Sequence, residues 1–106
     1  MATGRLGTAD LSAATNTTLY TVPSATFAVA TVNLVNRTSG AVTVRIALAS
    51  SATPGNGEWI EYGVSLAANT VLERTGLVLD AGKSVVVYAS ASGVSAVAYG
   101  IETPTA

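Results

Sequence analysis

Lys83 is the only lysine in this chain, and there is no histidine or cysteine to serve as a base, a thiolate nucleophile or a soft metal ligand. A serine or threonine nucleophile would therefore have to be activated by Lys83. That lysine follows Asp80-Ala81-Gly82, a hairpin-turn sequence in which a lysine is ordinarily solvated. Two-carboxylate chemistry fares no better. Glu58 and Glu61 are three residues apart, which on a regular strand turns them to opposite sides, so they do not flank one glycosidic bond. The adjacent Glu73 and Arg74 diverge in the same way. Asp80 reads as an acceptor for turn amides, and no Asp-rich loop gathers the oxygen ligands that calcium needs. No catalytic residue, metal site or cofactor is predicted, and the chain is not read as an enzyme. Asn16-Thr17-Thr18 and Asn36-Arg37-Thr38 match the glycosylation pattern, which is expected by coincidence in a chain so rich in threonine.

What remains is recognition by a surface. Trp59, Ile60 and Tyr62 form the densest group of bulky side chains and lie beside the longest turn-rich stretch, Ser50 to Gly57. Aromatic residues in such a place can anchor an interface; in a core this poor in large side chains, Trp59 can equally be the central packing residue. Arg5 and Leu6, near the start, are the other candidate contacts.

The elements that must hold these residues are strands. Thr17 to Val22 is closed by Pro23, which cannot donate to a ladder. Thr26 to Asn36 follows; Phe27 and Val29 have one parity and Val32 and Leu34 the other, which predicts a bulge or bend near Ala30-Thr31. After the turn Arg37 to Gly40, the alternation of Val42, Val44, Ile46 and Leu48 marks a half-buried strand, and the two runs are expected to form a long hairpin. Then come Glu58 to Tyr62, Thr70 to Leu79 with a break at Gly76, Ser84 to Ala89, and Val94 to Ile101 with Val97, Tyr99 and Ile101 on one face. Turns separate them at Ala67-Ala68-Asn69, Asp80-Ala81-Gly82 and Ser92-Gly93. Ala9 to Ala14 carries no sustained helical stripe and reads as arm or loop. The prediction is an all-β, single antiparallel β-sandwich or jelly-roll-like domain over residues 15–102, with an N-terminal arm at 1–14 and a tail at 103–106.

Composition bounds what such a domain does. A chain of 106 residues is one domain, and one this small buries roughly 60–70% of the surface its unfolded chain exposes. Charged residues make up 10%, against about 25% in typical soluble domains. Small size without disulfides, together with few charges, points to burial against another subunit. A net charge of −1 gives no footprint for nucleic acid or anionic membrane. No secretory h-region or membrane-spanning run is visible, so the chain is expected to be soluble and made in a cytoplasm.

Several segments in order carry a family resemblance: Leu6-Gly7-Thr8-Ala9-Asp10-Leu11, Asn16 to Pro23, Val32 to Arg37, Trp59-Ile60-Glu61-Tyr62, Leu66 to Gly76, Leu79 to Lys83 and Val97 to Glu102. Together they resemble small virion proteins of tailed bacteriophages, over nearly the whole chain. Where similar proteins often continue Ala-Gly-Lys after Val22-Pro23, this chain has Ser24-Ala25-Thr26, a departure confined to one turn. The resemblance implies a capsid decoration (cement) protein, a trimeric knob on the outer surface of the head bound to the major capsid protein, or alternatively a tail-fibre or baseplate module that binds a receptor or glycan. Decoration is expected because the chain starts and ends close to its domain. On that reading residues 2–14 would be an arm that clasps a neighbour and is ordered only on assembly.

Overall fold

A computed structural model describes residues 3–105. Its eight strands are β1 (Thr3–Leu11), β2 (Thr17–Thr21), β3 (Thr26–Asn36), β4 (Val42–Ala49), β5 (Trp59–Leu66), β6 (Val71–Leu79), β7 (Ser84–Ala89) and β8 (Val94–Pro104). They form two four-stranded antiparallel sheets, ordered β1-β8-β3-β6 and β2-β7-β4-β5. Helix is absent among the described residues. The pairs β1·β8, β2·β7, β3·β6 and β4·β5 are the rungs of one long hairpin, rolled so that β3 also meets β8 and β4 also meets β7. This is jelly-roll wrapping, and the predicted all-β sandwich class stands.

Alternation supplies the core. One sheet turns Ala28, Ala30, Val32 and Leu34 of β3 and Val94, Ala96 and Ala98 of β8 inward. The other answers with Val42, Val44 and Ile46 of β4 and Val85, Val87 and Ala89 of β7. Alanines on one inner face leave room for the branched side chains of the other, which lets the layers interdigitate.

Four expectations give way to the structure. The segment read as arm or loop is mostly β1, which runs antiparallel along the chain's own β8 from Thr3↔Ile101 to Leu11↔Val94. A bulge between Arg5 and Gly7 puts Leu6, Ala9 and Leu11 against the core at unequal spacing, so the period of two was hidden. Glycine is required at position 7, where a Cβ would collide with the carbonyl oxygen of Leu19 as β1 crosses close to β2. Second, Thr103 and Pro104 extend β8 opposite Phe27 and Thr26 rather than forming a tail. Residues 1, 2 and 106 of the expected arm and tail lie outside the described residues.

Third, β3 and β4 are not a hairpin, because the turn after Asn36 carries the chain from one sheet to the other. Fourth, β3 keeps one parity throughout, with Phe27 and Val29 on its outer side. The bulge expected near Ala30-Thr31 is present in the pairing, but its extra residue lies on β6, where Thr75 and Gly76 together oppose Thr31, and Gly76, the expected break, adopts φ +67°.

The two sheets are also joined by a buried polar contact, the Tyr20 hydroxyl of β2 donating to Glu102 Oε2 of β8. Burial, then the hydrogen bond and the charge of Glu102, push the Tyr20 phenol well above its ordinary pKa of 10.0. A raised folded-state value means the contribution is complete below the unfolded pKa. It is lost as pH rises, because the unfolded chain releases the proton first. Tyr99, raised by partial desolvation and by donating to Glu73, acts with the same sign. Melting temperature is therefore expected to fall above about pH 10, and a Tyr20→Phe variant to show a flatter decline in thermal-melt series.

Candidate interaction faces

The residues first considered for chemistry are engaged separately. Glu58 accepts from Gly55 N at 2.8 Å and from Ser50 N and Oγ at 3.1 Å, latching the loop of residues 50–58. Those bonds, the Gly55 amide foremost, hold its carboxyl below the usual range. Glu61 pairs with Arg74 across the open side of the sandwich, joining the edge strands β5 and β6. Lys83 Nζ reaches Asp80 Oδ2 at 3.1 Å within its turn. Among the described residues there is no group of three His, Cys, Asp or Glu side chains that could hold a metal. Asn36 is fully buried and its amide nitrogen donates to three carbonyls, so that glycosylation pattern is closed in the folded protein, whereas Asn16 is exposed.

Two outer sheet faces remain. On β2-β7-β4-β5, Arg45 of β4 has Tyr88 of β7 on one side and Tyr62 of β5 on the other. Its Cζ lies 4.3 Å from each ring centroid and 5.9 Å from that of Trp59. Trp59 and Tyr62 meet edge to face, with centroids 5.4 Å apart. Residues three apart would normally face opposite ways. Here Ile60 is the extra residue of a bulge opposite Ile46-Ala47, which brings Trp59 and Tyr62 to one face and turns Ile60 towards the core. A second bulge at Gly63, φ +72°, keeps Tyr62 opposite Arg45. Trp59 covers Ala47, Ala49 and Val86, a small apolar cluster outside the main core. It is thus a packing residue on an outer face, which joins the two readings left open above. Arg45 was not singled out in the sequence; its alternation with Val44 and Ile46 placed it outward, but its flanking tyrosines depend on cross-strand register.

On β1-β8-β3-β6 the outer face carries an exposed apolar row. Ile101, Val29 and Val78 lie in one row across β8, β3 and β6, with 55%, 42% and 64% of their surfaces exposed. Phe27, Val97 and Tyr99 adjoin the row on the same face. Arg5 stands opposite Tyr99 at the β1 edge, while Leu6 packs against the core. The five contact candidates are therefore divided: Trp59 and Tyr62 share one face, Arg5 lies on the other, and Ile60 and Leu6 turn inward.

Fold and faces together define an eight-stranded jelly-roll domain with one apolar and one aromatic-arginine outer surface. The chain matches no known family model, no curated protein and no solved structure.

Proposed function

We propose that this chain is a virion structural protein, a capsid decoration protein that binds the outer surface of a tailed-phage head as a trimeric knob and stabilises the junctions between major capsid protein subunits. The observation that carries the reading is the exposed row Ile101, Val29 and Val78 across three strands of one outer sheet face. Apolar area covered there stabilises a contact by about 25 cal/mol per Å². Across a capsid lattice such contacts add up against the outward pressure of packaged genome. The sequence resemblance and the low content of charged residues favour the same reading. The alternative, a tail-fibre or baseplate module that binds a receptor or glycan, is favoured by one feature, the exposed Tyr62 ring beside Trp59.

The test is the copy number and location of the protein in purified virions, by quantitative mass analysis and imaging. Copies in proportion to the capsid lattice, spread over the head, are expected. The Val78→Glu, Ile101→Glu double variant should lose nearly all head occupancy with its melting temperature little changed, since both side chains leave the core untouched. A few copies confined to the tail would overturn the decoration reading in favour of the fibre or baseplate module.

A further inference from the structure

The opposite face, away from the apolar row, holds a cation that pairs with no carboxylate among the described residues. The chain has five lysines and arginines. Arg37 pairs with Asp10, Arg74 with Glu61 and Lys83 with Asp80. Arg5 stands on the other sheet. Arg45 is only half-exposed, yet no hydrogen bond or ion pair joins it to any described residue. What holds it is aromatic: Tyr62 and Tyr88 at 4.3 Å on either side, with Trp59 behind.

This arrangement separates two properties of a guanidinium. The ring quadrupoles meet its charge, whereas its five N–H donors have no acceptor among the described residues. The tyrosines fix the side chain before anything binds, so little rotamer freedom is left to lose on binding. The nearby carboxylates do not fill the position: Glu58 is tied to Ser50 and Gly55, and Glu61 to Arg74.

We infer that Arg45, held between Tyr62 and Tyr88, is a recognition site for a carboxylate borne on an acidic protein surface. A planar carboxylate entering edge-on takes two parallel N–H···O bonds, the geometry in which arginine binds most strongly. A phosphate dianion is less suited, since Arg45 is the one cation over these three rings among the described residues. The source is protein because the site is a face and not an enclosure. A free carboxylate would touch one guanidinium alone. A glutamate or aspartate side chain brings a surface that can lie on Tyr62 and Trp59 and meet the exposed hydroxyls of Thr43 and Ser65, which are paired beside Arg45. The site does not depend on which protein the apolar face contacts.

The experiment follows the Arg45 Nε–H and Trp59 indole N–H signals by NMR while a capped glutamate-rich peptide is added at constant ionic strength. Saturable shifts of both are expected, with the glutamine counterpart of the peptide weaker by about tenfold or more. Arg45→Gln should abolish the response of Trp59, and Arg45→Lys should weaken it without abolishing it, because an ammonium keeps the charge and loses the fork. Retained amide dispersion in each variant excludes misfolding as the cause. Equal shifts with the glutamine peptide, or with sodium chloride alone, would overturn the site. Tighter binding of an oligogalacturonate than of the peptide would overturn the protein source and assign the carboxylate to an acidic glycan.

Discussion

A Gly100→Ala variant is expected to yield no folded protein. Gly100 lies in β8 opposite Ala30, in the middle of the β1-β8-β3-β6 sheet. A Cβ built there would run into the Val29 carbonyl oxygen, well inside any permitted contact, and would come within 2.8 Å of the Ala30 Cα. Both obstacles are backbone, so no rotamer change relieves them. Relief requires β8 to move off β3, and β8 is also the partner of β1. The loss therefore spreads to three strands and is expected to exceed about 4 kcal/mol, a large share of the roughly 5–15 kcal/mol that holds a typical domain folded. Circular dichroism and soluble yield would read it directly. Gly76→Ala is the contrast: its backbone is left-handed at φ +67°, but a Cβ there meets open space. It should fold, with a loss of about 1–2 kcal/mol from the backbone conformation alone.

The second large effect is expected at Asn36. Its side chain is wholly buried and fully used, donating to Gly40 O at 2.8 Å, Leu66 O at 2.9 Å and Ala67 O at 3.2 Å. Its Oδ1 accepts from Thr38 N at 2.9 Å and Thr38 Oγ1 at 2.7 Å. One amide thus fixes the crossing from β3 to β4 and the turn from β5 to β6. Asn36→Ala would leave several of these groups without partners in a place water reaches poorly. The expected cost is about 3 kcal/mol or more, read as a fall in melting temperature of roughly 15 °C. Asn36→Asp is expected to do as badly, since a carboxylate offers no donor to the three carbonyls.

These two residues show where the sequence was legible and where it was not. The bounds of β3, β4 and β7 followed from the turn residues that close each run, and in β4 also from alternation. Two bulges hid what else there was to read. At Leu6 and Ile60 an inserted residue shifts the period, so β1 read as arm and no alternation showed that Trp59 and Tyr62 share a face while Ile60 turns inward. Local pattern also carries no pairing information, which is why β3 and β4 were expected to be neighbours. The Arg45 site is a product of pairing alone: its three aromatic neighbours come from β5 and β7, and nothing near Arg45 in the chain announces them. The aromatic cluster was visible as a cluster, but its cation was not.

The rolled hairpin also governs how the domain is made. The first strand pairs only with the last, and β8 must slot between β1 and β3 before that sheet has a middle. During synthesis β1 emerges first and waits for almost the entire chain; loop closure over that distance makes its pairing slow. Until β8 leaves the ribosome, the edge of β3 stands open beside a β1 that has no partner. Two nascent chains at that stage can trade first strands, each β1 zipping onto the other's β8 with every bond of the native ladder. The wrapping that seals the finished domain leaves the unfinished one open to strand exchange with another copy, and speed of completion limits that exchange.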